Sequence, residues 1–123
     1  MIDHVGLNVK DYETGRAFYE KALAPLGYRV VMAFEQWGTA GFGEDDKPEF
    51  WVNQREPTGT GTHIAFHCSD RATVAAFYTA ARAAGGRDNG PPGVRAHYHS
   101  HYYGAFVLDP DGNNVEAVCH APD

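Results

Sequence analysis

The chain opens with a segment in which apolar residues alternate with small or polar ones. Val5, Leu7 and Val9 form the apolar series, and His4 belongs to the alternate series. A side-chain period of two is typical of a β-strand with one buried face. We therefore expect a strand here, with its apolar face under a helix and His4 on the opposite face.

A helix is predicted directly after this strand. Asp11 is a favourable N-cap residue, and Phe18, Ala22 and Leu26 follow at four-residue spacing before Gly27. This spacing places the three apolar side chains on one stripe, and a glycine is a common stop signal. The expected helix therefore ends near Gly27.

The strand-helix pattern recurs at an offset of 59 residues. Segments identical at this offset are His4 and His63, residues 17–19 and 76–78 (both Ala-Phe-Tyr), Ala22 and Ala81, and Gly27 and Gly86. The second strand alternates in the same way, with Ile64, Phe66 and Cys68 on its apolar side. In the second helix, Ser69 or Asp70 is the expected cap, and Val74, Phe77 and Ala81 form the stripe. Two copies of one structural unit explain this agreement better than chance.

Three further strands are expected after each helix. The predicted ranges are 28–35, 36–42, 49–53, 94–98, 103–108 and 114–118. Residues 109–112 (Asp-Pro-Asp-Gly) give a strong turn signal between the last two strands. The expected fold is α+β, one domain over residues 1–123 made of two βαβββ modules, at about 1–56 and 61–120.

Composition and charge narrow the function. The 123 residues are 43% hydrophobic, and the ten Lys and Arg are scattered in a chain of net charge −6. Nucleic-acid binding needs a basic face, so we exclude that class. The first residues lack the basic and apolar regions typical of a signal peptide, and no apolar run reaches about 20 residues, so we expect a cytoplasmic protein with no membrane partner. Cys68 and Cys119 are expected as small buried hydrophobic residues, because neither belongs to a metal or redox motif.

Glu116 lies in the middle of the last predicted strand. Val115 and Ala117 share the apolar face, so Glu116 points the other way. A carboxylate there is costly to bury unless it is paired or coordinated, and taken alone it is a salt-bridged or edge-exposed group. Taken with His4 and His63 on equivalent faces, it suggests a site for a divalent ion: Zn, Fe, Mn, Ni or Co.

Three segments make the chain resemble the vicinal oxygen chelate superfamily, which has the glyoxalase/bleomycin-resistance/dioxygenase fold. They are residues 4–9 (HVGLNV), 63–66 (HIAF) and 106–116 (FVLDPDGNNVE). The resemblance implies two modules forming a cupped mixed sheet around a divalent metal. By position, His4, His63 and Glu116 would be ligands. It also implies a small-molecule substrate and a homodimer.

The chain departs from particular branches of that family. Glyoxalase I-like members take a fourth ligand, a carboxylate, from the strand at 49–53, where the alignment here places Trp51 and leaves Glu49 two residues away. Extradiol dioxygenases carry an acid tyrosine near the position of Phe106. The chain is most similar to small glyoxalase-like members with a Tyr-His-x-x-Tyr-Tyr segment, here residues 98–103.

That segment suggests residues that contact the substrate. His97, His99 and His101 would share a face on an extended backbone. We expect Tyr102 and His99 to move protons near neutral pH, alongside Glu116. The substrate-contacting set is Tyr98, His67 and Trp51. The alternative is a solvated, histidine-rich edge whose tyrosines pack on the sheet.

Two functions remain open from the sequence. The first is a metal-dependent enzyme acting on a small oxygen-rich substrate by bidentate chelation, as an isomerase, lyase, dioxygenase or thiol transferase. The alternative is a metal-free protein of the bleomycin-resistance type that sequesters a small ligand in the same cup.

Overall fold

Each half of the chain forms a strand, a helix and then further strands in the computed structural model, which describes residues 1–122. The first half consists of β1 (Val5–Val9), α1 (Tyr12–Leu23), β2 (Arg29–Phe34), β3 (Thr39–Gly43) and β4 (Phe50–Gln54). The second consists of β5 (His63–His67), α2 (Arg71–Ala83), β6 (Arg87–Asp88), β7 (Gly93–Val94), β8 (Tyr103–Leu108) and β9 (Asn114–Cys119). The predicted α+β fold with a duplicated unit is confirmed.

Each half builds its own mixed sheet. The strand orders are β1-β4-β3-β2 and β5-β9-β8-β6, with β7 also paired to β8. The first strand of each half runs parallel to the last, β1 to β4 and β5 to β9. In these pairs Gly6 lies opposite Trp51 and Ala65 lies opposite Glu116. Because Gly6 and Ala65 are 59 residues apart, Trp51 and Glu116 occupy equivalent positions.

The two predicted helix caps are present. The Asp11 carboxylate accepts the backbone N–H of Thr14, and the Asp70 carboxylate accepts that of Thr73. These hydrogen bonds lower the pKa of both carboxyls. The first helix is shorter than predicted, because Pro25 has no N–H and its ring clashes with a helical backbone. A 3-10 turn at Ala24–Leu26 follows.

The helices pack against each other, and the apolar faces of both sheets join them in one core. The largest fully buried apolar side chains include Phe18, Tyr19, Phe42, Phe50 and Phe77. Cys68 and Cys119 are buried and free, as expected, and burial raises the pKa of the Cys68 thiol to about 11. The opposite faces of the two sheets, which carry Gly6 and Ala65, are exposed. No helix among residues 1–122 is both long and apolar enough to span a membrane.

One buried hydrogen bond joins the two halves. The Tyr19 hydroxyl on α1 donates to Asp109 Oδ2 at 2.5 Å, and Asp109, in the turn before β9, is 2% exposed. The same carboxylate also accepts the backbone N–H groups of Asp111 and Asn113. Burial, together with the Asp109 carboxylate, raises the pKa of Tyr19 well above its usual value, so the hydroxyl remains a donor.

We expect Tyr19→Phe to lower the free energy of unfolding by about 1.5–3 kcal/mol, because a buried carboxylate loses one donor. Chemical denaturation measures this change. Tyr28→Phe is the matched control, since the Tyr28 hydroxyl donates to the exposed Glu49 at 3.3 Å. Equal losses in the two variants would contradict a special contribution from the buried bond.

The predicted strand at 94–98 is wrong. Strand pairing stops at Val94, and the next residues form turns in which Tyr98 N–H donates to the carbonyl of Arg95. His97, His99 and His101 therefore do not share a face of an extended strand. Arg95 N–H still donates to the carbonyl of Tyr102, so the two ends of this turn segment lie next to each other. The strand predicted at 36–42 begins only at Thr39, after a 3-10 turn at Glu35–Trp37.

Candidate metal and substrate site

The exposed face of the second sheet carries a three-residue cluster. Glu116 on β9 is 1% exposed, although it points toward this open face. His63 Nε2 lies 2.8 Å from Glu116 Oε1, and the Tyr102 hydroxyl donates to Glu116 Oε2. The Glu116 carboxylate is therefore buried on the second sheet, and each of its two oxygens has one hydrogen-bond partner.

Gly104 on β8 makes room for this cluster. A Cβ atom at this position would lie 3.1 Å from the Tyr102 ring and 3.3 Å from Glu116 Oε2. Any larger residue would therefore press on the hydrogen bond between those two side chains.

Tyr102 is held as a hydrogen-bond donor. Burial raises the pKa of its hydroxyl, and the hydrogen bond to the Glu116 carboxylate raises it further. Removing the proton would place two negative oxygens against each other. At neutral pH the hydroxyl is therefore protonated and fixes the orientation of Glu116.

A cavity of about 410 Å³ opens directly over the cluster. It is lined by His63, Tyr98, Tyr102, Phe106 and Glu116. Three aromatic rings thus form its walls, with the carboxylate and the imidazole as its polar groups. The Tyr102 ring is part of this lining, and Tyr98 lies beside it with ring centroids 5.0 Å apart.

His4 lies on the first module and is separate from Glu116. Its Nδ1 is 2.7 Å from the Asp3 carboxylate, which leaves Nε2 free, and its side chain is 58% exposed. The hydrogen bond from His4, with help from Lys47, lowers the pKa of Asp3. His4 and His63 line a common cleft of about 350 Å³. Nevertheless, within residues 1–122 no three His, Cys, Asp or Glu side chains converge closely enough to hold a metal ion.

Trp51 lies on the exposed face of the first sheet, at the position equivalent to Glu116. Its ring covers Gly41, where a Cβ atom would lie 3.0 Å from it. Glu49 is exposed and accepts a hydrogen bond from the Tyr28 hydroxyl. Burial, together with the Glu49 carboxylate, raises the pKa of Tyr28 to about 12. The first module thus presents an indole at the position where the second presents a carboxylate.

His67 and His99 lie away from the cavity, around a residue that the sequence interpretation missed. His120 directly follows β9, and its ring centroid lies 6.3 Å from that of His67 and 5.7 Å from that of His99. The Tyr102 ring is 5.3 Å away from it. Extending the period of two past Glu116 and Val118 would have placed His120 on this face. The predicted strand ended two residues too early for that.

The chemistry of the donors fits a divalent metal at His63 and Glu116. Two ligands at about 2.1 Å from one ion and at right angles lie about 3 Å apart, close to the separation of Nε2 and Oε1 here. Both are donor types that zinc and first-row transition metals accept. The pair leaves coordination positions for other ligands.

Comparison with known proteins supports the fold and the family. Residues 1–117 match the family model described as the Glyoxalase/Bleomycin resistance protein/Dioxygenase superfamily. A glyoxalase/bleomycin resistance protein from Albidiferax ferrireducens superposes with a TM-score of 0.82 at 27% identity, covering 98% of this chain and 99% of that one. No curated protein sequence matches the chain.

Two more distant structures share the fold. A glyoxalase-related enzyme from Fulvimarina pelagi superposes with a TM-score of 0.73 at 18% identity, over 97% of this chain and 87% of that chain. A glyoxalase/bleomycin resistance protein/dioxygenase family enzyme from Burkholderia phytofirmans gives a TM-score of 0.71 at 19% identity, over 97% and 98%.

Proposed function

The chain belongs to the Glyoxalase/Bleomycin resistance protein/Dioxygenase superfamily, and from this premise we propose that it is a divalent-metal-dependent enzyme acting on a small oxygen-rich substrate. The observation that carries the proposal is the cluster of His63, Glu116 and Tyr102 beneath an aromatic cavity. A buried carboxylate costs free energy in a sheet, and ligation of a metal is a function that offsets this cost.

Each member of the cluster has a distinct task in this proposal. Glu116 Oε1 and His63 Nε2 hold the ion. Tyr102 occupies the other carboxylate oxygen and thereby prevents Glu116 from rotating, which is how residues around a ligand commonly tune a metal site. A bound ion would polarise two adjacent oxygens of the substrate and stabilise negative charge that develops on them.

The cavity walls select and shield the substrate. Phe106 and Tyr98 line one side of the cavity, and a substrate that displaces water there would strengthen the charge interactions within the site. The Tyr102 ring lines the cavity beside the reacting region, while its one hydroxyl proton stays on Glu116 Oε2. Isomerisation, elimination, oxygenation and thiol transfer are all compatible with this arrangement.

We assign the third ligand to His4 of a second copy of the chain. His4 and His63 are 58% and 50% exposed, and the sheet faces that carry them point outward. An outward sheet face with glycine and alanine at its centre can accommodate a second sheet, and a two-fold symmetric dimer would place the first module of each copy over the second module of the other. His4 is prepared for ligation because Asp3 fixes Nδ1, leaving the Nε2 lone pair available.

Metal analysis of gently purified, untagged protein tests the proposal. We expect one divalent ion per chain by mass spectrometry, either as isolated or after reconstitution. Glu49→Gln is the matched control, because Glu49 is an exposed carboxylate near His4 that the proposal leaves outside the ligand set, and it should retain full metal content. A chain that stays metal-free after reconstitution would contradict the enzyme proposal and favour a sequestering protein.

A further inference from the structure

Three histidines gather at the far end of the exposed face of the second sheet. We call His67, His99 and His120 the His120 cluster, because His120 lies between the other two with ring centroids 6.3 Å and 5.7 Å away. All three are exposed. They extend from three separate parts of the chain: the end of β5, the turns before β8, and the residue after β9.

The cluster lies on the same face as the proposed metal ligands. His67 is four residues beyond His63 on β5, and His120 is four residues beyond Glu116, directly after the end of β9. Since strand side chains alternate and each residue advances the strand by about 3.3 Å, the two groups are about 13 Å apart on one surface. Tyr102 links them, because its hydroxyl bonds to Glu116 while its ring contacts His120.

On β5 and β9, the side chains between the proposed metal ligands and the His120 cluster are small and apolar. Ala65 lies between His63 and His67 and is exposed, and Val118 lies between Glu116 and His120. An extended molecule can therefore lie along the Ala65 side of the face, beside the Tyr102 ring that spans Glu116 and His120.

The hydrogen bonding of His99 favours an anion over a metal ion at the cluster. Its Nδ1 accepts the backbone N–H of His101 at 3.2 Å. The proton of a neutral imidazole then resides on Nε2, which becomes a donor and not a ligand. Within residues 1–122, the histidines whose ring nitrogens lie within hydrogen-bond distance of a carboxylate are His4 and His63, so the imidazoles of the cluster are available to another partner.

We propose that the His120 cluster binds an anionic oxygen group, a carboxylate or a phosphate. The substrate class that follows is an elongated molecule with adjacent oxygens at one end and an acidic group about 13 Å away. The binding of the anion stands on the cluster alone, and the description of the substrate rests in addition on the proposed metal site.

Titration of metal-free protein with inorganic phosphate, and separately with acetate, tests the anion site. The readout is the imidazole NMR signals at neutral pH and constant ionic strength, with chloride as the reference salt. We expect saturable shifts in the signals of His67, His99 and His120. Saturation by phosphate alone would identify a phosphate site, and saturation by acetate would identify a carboxylate site. Shifts that follow ionic strength without saturating would overturn the proposal.

Three variants make the result specific. His120→Asn and His67→Asn should each weaken anion binding at least about tenfold, because each removes a hydrogen bond to a charged group. His97→Asn is the matched control: it changes an exposed histidine that contacts Tyr98 and lies outside the cluster, and it should leave binding unchanged. Equal binding in the wild type and both cluster variants would refute the site.

A fourth variant separates this inference from the proposed function. Glu116→Gln should bind phosphate or acetate as the wild type does, whatever its metal content. If the protein fails to bind metal but still shows the saturable shifts, the proposed metal site is wrong and the anion site stands.

Discussion

Glu116→Gln is expected to abolish stoichiometric metal binding, with a loss of affinity of about a hundredfold or more. Glutamine keeps the size of the side chain and can still accept the hydrogen bond from Tyr102. It replaces a negative oxygen with a neutral one, however, and its amide nitrogen has no lone pair for a metal. The ligand pair with His63 is thereby broken while the packing of β9 is retained.

This variant also reports on the fold. Because the glutamine amide can satisfy both partners that the carboxylate has now, thermal unfolding and far-ultraviolet circular dichroism should stay close to those of the wild type. Metal content is measured by mass spectrometry after reconstitution and desalting, with Glu49→Gln prepared in parallel. Full metal content in a folded Glu116→Gln protein would remove Glu116 from the ligand set.

Mixing two inactive variants is expected to restore metal binding if the site spans two chains. His4→Ala keeps Glu116, and Glu116→Gln keeps His4, so each variant alone should bind no stoichiometric metal. Random pairing in an equimolar mixture makes about half of the dimers mixed, and each mixed dimer has one complete site and one with neither residue. The expected recovery is therefore about one quarter of the wild-type metal content per chain.

The same experiment distinguishes a site within one chain. If His4, His63 and Glu116 of a single chain bound the ion together, no mixture of the two variants could restore it. Subunit exchange is verified by tagging one variant and recovering both chains on the tag. Demonstrated exchange with no recovered metal would place the ligands within one protomer or exclude His4.

Side-chain alternation predicted much of what the structure contains. It assigned faces to β1, β5 and β9, and the family resemblance placed Trp51 at a ligand position, which the strand register shows to be equivalent to that of Glu116. Alternation failed for the strand predicted at 94–98, where the local hydrogen bond from Tyr98 N–H to the carbonyl of Arg95 closes a turn instead. A period of two cannot distinguish these outcomes, because it says nothing about which partner receives each N–H.

Side-chain alternation also could not predict how the two modules pack against each other. Alternation shows that Leu7 and Phe66 belong to an apolar face, but it does not show that the two modules share one core through their helices. Consequently, His4 could be placed on the correct face of its own strand and still not be near Glu116. Long-range placement of this kind depends on packing between elements, for which a single sequence carries little signal.

The strand pairing also bears on how the chain acquires its structure during synthesis. Within residues 1–122, every ladder pairs strands of the same half, so the first sheet needs nothing beyond Gln54 to complete its backbone hydrogen bonds. As the chain emerges from the ribosome, that sheet and α1 can form while the second half is still being made. Two features can form only after the second half has been made: the packing of α2 into the shared core, and the hydrogen bond from the Tyr19 hydroxyl to Asp109. Until then the apolar side of the nascent first half is exposed, and this interval is when the chain depends most on protection from aggregation.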